Sequence, residues 1–332
     1  MIKTIMRKIA PRLYLSLAHV KVELWNDYKE LKHQSLPIKH FRLGSLVWAY
    51  LRHGATPQEY VCLGFAWLNS RGRKEYVTIR RNRKLNRQLN NVEANKILWD
   101  KGLFNSHFSE FIHRKFLSVN SNTSDDDLQA FFNSLTEKRY IVKPNDLFYG
   151  QGVYVADSLD ELKKIRNNGK DYIVEELVKN DPGLAKLNET SLNTFRVVTC
   201  IDRKGNVHIV AILLRTGRKG SVIDNLLGGG TCYHVDAETG VIDSKGRDGI
   251  GNYILKHPTS EITMPGFQIT RIGEVKQFAI NLAKHLPKAR YVGWDIALTP
   301  DGVEVIEGNV CPSAELIQCN GRGLLKEIKS YI

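Results

Sequence analysis

Apolar and polar positions change period several times along the chain. Residues 292–298 form an apolar run, residues 300–302 read Pro-Asp-Gly, and a second β-rich run covers 303–306. Proline presets φ and glycine accepts a positive φ, so this is turn chemistry and the segment predicts a hairpin. Asp295 sits inside its first strand. Glu307 and Asn309 end the second, two residues apart and therefore on one face, with Asp295 brought opposite them. Further hairpins are expected at 192–201 with 207–214, turning at 202–205, and within 231–242, turning at 237–240. Short β-like runs at 139–142, 153–156 and 171–174 surround a glycine-bearing loop at 145–153. Ser158 and Glu161 have the spacing of a capping box and predict a helix to about 166. Ser124, followed by three aspartates, predicts a helix start leading to 135. Val275, Phe278, Ala279, Leu282, Ala283 and Leu286 recur at helical spacing. One helix is expected over 91–104, with Ile97, Leu98 and Leu103 on one side, and a short amphipathic one within 321–332. Residues 1–90 read as mostly helical, with mixed periodicity over 12–32 and a buried stretch at 44–50. The segment 222–230 ends in three glycines.

The chain has 332 residues, more than one ordinary core uses, so two or three domains or subdomains are expected. Hydrophobic content of 42% and charged content of 25% match ordinary soluble globular usage. No apolar run approaches the ~18 residues that a membrane span needs. The basic, partly apolar N-terminus is interrupted by Pro11, Arg12 and His19, so it does not read as a secretion signal. Five cysteines without framework spacing fit free thiols in a reducing cytosol, and no Cys/His cluster suggests zinc. The net charge of +13 is uneven: residues 1–94 hold 18 Lys and Arg against 6 Asp and Glu, whereas 95–332 hold 30 against 29. The N-terminal part is therefore expected to meet something anionic: a glycan, a membrane surface or nucleic acid. The densest cluster, 80–87, contains no aromatic residue, so no base-stacking platform is indicated. With no nucleic-acid-binding signature either, nucleic acid is not the expected partner.

Candidate chemistry concentrates at two places. Asp295, Glu307 and Asn309 offer two carboxylates and an amide oxygen, a hard-oxygen set of the kind that holds Mg²⁺ together with substrate phosphates. Asp295 lies in an apolar run, where a buried charge needs a partner or a metal. Lys143 ends a strand beside the loop containing Gly150 and Gly152. Glycines let backbone N–H groups approach phosphates, and the lysine adds a point charge. The loop lacks a P-loop Gly-Lys-Ser/Thr ending and a Rossmann helix start.

Taken in order, Lys96 on a helix, Lys143-Pro144, the loop 149–153, Glu175-Glu176-Leu177-Val178, Asp295 and Glu307-Gly308-Asn309 resemble the ATP-grasp superfamily over residues 91–332. The stretches 213–217, 224–230, His257-Pro258 and 293–295 resemble its sugar-transfer-associated, glutamate-ligase-like branch, which is associated with capsule, O-antigen and teichuronopeptide synthesis. The resemblance implies an α+β ATP-grasp fold of two subdomains, expected at 95–178 and 179–332, behind a basic helical region, 1–94, that recruits an acceptor. It implies ATP and two Mg²⁺ ions as cofactors. Lys96 and Lys143 would grip phosphates, and Tyr149, Gly150, Gln151, Gly152 and Val153 would close over them. Glu175, Glu176, Leu177 and Val178 would contact adenine, while Asp295, Glu307 and Asn309 would hold the metal. Asp181 is the expected ribose-binding acid. D-alanine–D-alanine ligases carry an arginine two residues before the first metal carboxylate; here that position is Gly293, so Arg196 and Arg215 are the expected catalytic cations, together with Lys143. The implied reaction joins a small-molecule amine to a carboxylate through an acyl phosphate. The expected acceptor is an anionic glycan or lipid-linked sugar bearing a uronic acid, met in the cytoplasm or by peripheral contact at the inner membrane face. A kinase acting on a sugar hydroxyl, or a non-catalytic basic binding module, are the alternatives.

Overall fold

The computed structural model describes residues 43–147, 150–221, 224, 229–249 and 252–332. The helical reading of 12–32, Tyr149 and most of 222–228 lie outside the described residues. Two antiparallel sheets carry an α+β fold. The first contains β1 (Phe116–Val119), β2 (Tyr140–Pro144), β3 (Tyr154–Ala156) and β4 (Tyr172–Glu176), in the order β1-β4-β2-β3. Alternate residues of β2 are buried, as one covered face requires. Helices Asp125–Ser134 and Leu159–Asn167 cover that face with Leu128, Phe131, Leu162 and Ile165. The first helix opens with a complete capping box: Ser124 Oγ accepts from Asp127 N at 3.1 Å, and the Asp127 carboxylate accepts from Ser124 N at 3.3 Å. The second is half of one. Ser158 Oγ accepts from Glu161 N, but the Glu161 carboxylate accepts instead from the Tyr154 hydroxyl at 2.8 Å.

The second sheet contains β5 (Thr194–Ile201), β6 (Val207–Thr216), β7 (Thr231–Val235), β8 (Gly246–Asp248), β9 (Tyr253–Ile254), β10 (Tyr291–Thr299) and β11 (Gly302–Asn309), in the order β11-β10-β5-β6-β7-β8-β9. Both its faces are covered, so all eight residues of β5 are buried and its strands read as unbroken apolar runs. Phe195, Val197, Val292, Trp294 and Ile296 share a core with helix Ile272–His285. Val198, Cys200, Leu213 and Tyr291 point the other way, into a core with helices Ile79–Leu89 and Leu325–Ser330. By strand alternation Arg196, Arg215 and Asp295 belong to this second face.

Three expectations are corrected. The helix over 91–104 is two helices, Val92–Trp99 and Lys101–His107. Asp100 adopts an extended ψ of 115° and caps the second through Leu103 N at 2.9 Å. The hairpin within 231–242 shrinks to a single bridge, Val235 with Ile242, because β7 pairs with β6 and β8. The basic helix Ile79–Leu89 does not belong to a separate region ending at 94. Its Leu85 and Leu89 enter the core of the second sheet. Asn82 Nδ2 donates to Pro312 O at 2.6 Å, and Gln318 bonds both backbone groups of Val77. Two of its cations serve the fold: Arg81 Nη1 donates to Tyr76 O at 2.6 Å, and the Arg80 guanidinium lies over the Tyr50 ring. Arg83, Lys84 and Arg87 are exposed. Among the described residues no helix is long and apolar enough to cross a membrane.

This docking predicts that Leu85→Ala costs about 2–5 kcal/mol of the stability of the second sheet itself, read as a lower urea midpoint of one shared transition. An early, separate transition that leaves the rest of the chain at its original midpoint would contradict it.

Candidate active site

The expected hairpin forms, and its register sets Asp295 opposite Glu307 and Gly293 opposite Asn309. On its other edge Asp295 pairs with Arg196 of β5, and Thr194 of β5 pairs with Arg215 of β6. Asp295 is 3% exposed and is held by both arginines. Arg196 Nη2 and Arg215 Nη1 donate to its Oδ2 at 2.9 and 2.7 Å, and Arg196 Nε donates to Oδ1. Arg215 Nη2 reaches on to Asp224 Oδ1 at 3.0 Å, and Asp224 also accepts from the Thr194 hydroxyl. Burial alone would raise the Asp295 pKa, but the two guanidinium groups more than reverse this and hold it well below the usual carboxylate range. Asp224 has one such partner, and burial keeps its pKa raised. The absence of an arginine at position 293 also has a cause. A Cβ there would meet Arg196 Cδ at 2.9 Å and Pro312 Cβ at 2.8 Å, so glycine leaves the space that Arg196 crosses.

Glu307 opens onto the cleft, although protein atoms crowd it. That crowding and the neighbouring Asp295 charge raise its pKa, with Arg196 and Arg215 opposing. Asn309 Nδ2 lies 3.3 Å from Glu307 Oε1. Among the described residues no three His, Cys, Asp or Glu side chains group as a metal site. The set here is two carboxylates and an amide. Its donor chemistry fits Mg²⁺, because a cation beside Glu307 favours the ionised carboxylate that burial and the Asp295 charge disfavour. Asp295 already serves two arginines, so Glu307 and Asn309 are the more available ligands.

The first sheet faces this cluster with Lys143. Its ammonium bonds Glu175 Oε2, and Glu175 Oε1 accepts from Asn105 Nδ2 and Arg114 Nη2, each at 2.9 Å. Arg114 Nη1 in turn donates to Glu304 Oε1 and to Val305 O, each at 2.6 Å, so one guanidinium ties β4 to β11. Burial would raise the Glu175 pKa; Arg114 and Lys143 override it and hold the carboxyl far down. Gly150 and Gly152 adopt φ of 72° and 69°, and Val153 N closes the turn on Gly150 O at 3.3 Å. Gln151 between them is exposed. Lys101 holds the start of this loop. Its Nζ donates to Pro144 O at 2.9 Å and Leu147 O at 2.8 Å. Burial lowers its pKa, Lys143 adds to this, and Glu307 opposes it. The Lys101 ammonium therefore feels both sides of the cleft.

Other expected residues lie elsewhere or serve differently. Lys96 is exposed on helix Val92–Trp99; Lys101, on the next helix, stands at the loop. Glu176 continues β4, its N–H bonded to Lys115 O at 2.8 Å, and Leu177 and Val178 follow half-buried. Asp181 caps the helix Pro182–Ala185 through Gly183 N at 2.8 Å and pairs with Arg271 Nη1 at 3.1 Å. Its carboxylate thereby also serves the fold. Sequence reasoning missed Lys101, Arg114 and Glu304. Arg114 precedes a strand without any motif, and Glu304 sits in an alternation that reads as solvated.

The family model for sugar-transfer associated ATP-grasp proteins matches residues 166–331, and the chain belongs to that family. No curated protein matches it in sequence. Similar solved structures include the D-alanine–D-alanine ligase from Coxiella burnetii, at 11% identity and TM-score 0.47, covering 73% of this chain and 59% of that one. VanG D-Ala:D-Ser ligase from Enterococcus faecalis is similar at 15% identity and TM-score 0.46, covering 72% and 63%. The chain thus spans less than two thirds of the length of either ligase.

The two acidic residues differ in what they do for the fold. The stability owed to Asp295 is present above its unfolded pKa of 3.8 and is lost as pH falls through its depressed folded value. The folded pKa of Glu307 lies above its unfolded value of 4.5, so its relative benefit is present at low pH and is lost as pH rises through the folded value. Asp295→Asn should therefore cost about 3–5 kcal/mol, as breaking a buried pair does. Glu307→Gln should leave the metal-free protein as stable or more stable at neutral pH, while shrinking the rise in Tm on adding Mg²⁺. Equal urea midpoints for the two variants, or an unchanged Mg²⁺ response in Glu307→Gln, would contradict this.

Proposed function

We propose that this protein is an ATP- and Mg²⁺-dependent carboxylate–amine ligase that forms an amide through an acyl phosphate. The observation that carries the reading is the opposition, across one cleft, of Lys143 beside a positive-φ glycine loop and the Asp295–Glu307 pair with its two arginines. Lys143 and the backbone N–H groups of 150–152 bind nucleotide phosphates. The half-buried chain at 176–178 lines the adenine side. Glu307 and Asn309, with Asp295 beneath them, would hold Mg²⁺, which when bound would supply positive charge to the nucleotide phosphates. Arg196 and Arg215 supply fixed positive charge where the acceptor carboxylate and the transferring phosphoryl group meet. A carboxylate oxygen attacks the terminal phosphorus and ADP leaves. The amine then attacks the acyl carbon, phosphate leaves with the carboxylate oxygen, and the nitrogen loses a proton. Holding the reactants in place supplies up to ~7–11 kcal/mol of the barrier reduction.

The carboxylate is a uronic acid of a cell-surface glycan or of its precursor, and the amine is an amino acid. Family membership supports the link to sugars, and the basic stretch of residues 1–94 supports an anionic acceptor. Arg83, Lys84 and Arg87, exposed on one helix, are its recruiting charges.

Incubating the protein with uronic acids, amino acids, ATP and Mg²⁺ should give a dehydrative adduct by mass spectrometry, with ADP and phosphate. A stable phosphoester in its place would make the protein a kinase. Lys143→Ala should weaken binding of a non-hydrolysable ATP analogue by the roughly 1.5–3 kcal/mol of a charged hydrogen bond; unchanged affinity and rate would remove Lys143 from the site. Neutralising Arg83, Lys84 and Arg87 together should raise KM for the acidic acceptor, less so at high salt, and leave kcat nearly unchanged. A fall in kcat at saturating acceptor would put these residues in the cleft.

A further inference from the structure

A cavity of about 270 Å³ lies away from the cleft, between the end of helix Leu43–His53, the basic helix and the C-terminal helix. Arg52, His53, Lys74, Arg81, Lys329 and Leu325 line it. Five of the six are basic and none is acidic. Among the described residues no carboxylate pairs with Arg52, Lys74, Arg81 or Lys329. Arg81 is fixed in place by carbonyls of Arg73, Lys74 and Tyr76, and Glu59 acts on its charge without forming an ion pair with it.

His53 belongs to the same wall. It is 3% exposed, and its Nδ1 lies 3.1 Å from Arg81 Nη2. A guanidinium only donates, so Nδ1 accepts and the ring proton resides on Nε2. Among the described residues that buried Nε2–H has no partner, and a buried donor without a partner is costly. Burial, followed by Arg81, Arg73, Arg52 and Lys74, lowers the His53 pKa to about 4, so the ring is a neutral donor at neutral pH.

We propose that this cavity is a binding site for a phosphate or diphosphate group, separate from the nucleotide cleft. Its four cations, Arg52, Lys74, Arg81 and Lys329, match a multiply charged oxyanion, and His53 braces Arg81 at the cavity wall. Its volume lies below the ~300–1,000 Å³ of drug-sized ligand pockets, which suits a charged head group with the rest of its carrier outside. A soluble sugar phosphate and a lipid phosphate present the same chemistry. The proposal does not depend on the ligase reading.

Pyrophosphate binding to the full chain, measured by calorimetry with divalent metal chelated, tests it. The variant combines Arg52→Ala, Lys74→Ala and Lys329→Ala; all three residues are exposed, so the fold should persist. Wild type should bind pyrophosphate and the variant should bind at least about tenfold more weakly, as loss of charged contacts implies. Glucose 1-phosphate and vesicles containing a polyprenyl phosphate then distinguish the sources: binding of either one that the triple variant loses supports the site and names its carrier. Equal pyrophosphate affinity in wild type and variant, or no binding by wild type, would overturn the proposal.

Discussion

The geometry of the cleft depends on one buried guanidinium. Arg114 is 3% exposed in its side chain and joins Glu175 of the first sheet to Glu304 of the second. Its bond to Val305 O fixes it on the backbone of β11 as well. Such a pair is weak evidence for net stability, but removing any one partner strands a charge in a dry interior. The constraint is therefore positional. It holds the strand that carries Glu175, and with it Lys143, at a set distance from the strand that ends in Glu307 and Asn309.

Within that frame the charges are arranged before any ligand arrives. Asp295 collects Arg196 and Arg215, and Arg215 passes on to Asp224. Glu307 is left with a raised pKa and an open face. The cluster thus divides into a low-pKa carboxylate that positions cations and a high-pKa carboxylate ready for one. Fixed charges of this kind need little reorganisation as charge develops on a transferring group. The second sheet makes this possible, because an apolar face on either side excludes water from the strands that carry the arginines.

Much of this was legible in the sequence. The hairpin of β10 and β11 followed from a Pro-Asp-Gly turn between apolar runs. The facing of Asp295, Glu307 and Asn309 followed from period two, and Arg196 and Arg215 from the glycine at 293. Long-range pairing was not legible. Arg114 meets Glu175 and Glu304 from 61 and 190 residues away, and no local pattern encodes such contacts. Likewise the charge count suggested a boundary near 94, whereas Leu85 and Leu89 on the inner face of the basic helix join it to the second sheet. A helix is basic on one face and apolar on the other, and net charge registers only the first. Asp100 broke the helix over 91–104 because an N-cap in an otherwise apolar pattern resembles an exposed polar position.

Carboxylate activation is tested most directly by following oxygen. With both carboxylate oxygens of a uronic acid acceptor labelled with ¹⁸O, and amine, ATP and Mg²⁺ supplied, mass spectrometry of the released phosphate should find one labelled oxygen transferred per amide formed, the other remaining in the amide. Phosphate released without label would show that the acceptor carboxylate never bonded to phosphorus, and would contradict the acyl-phosphate route.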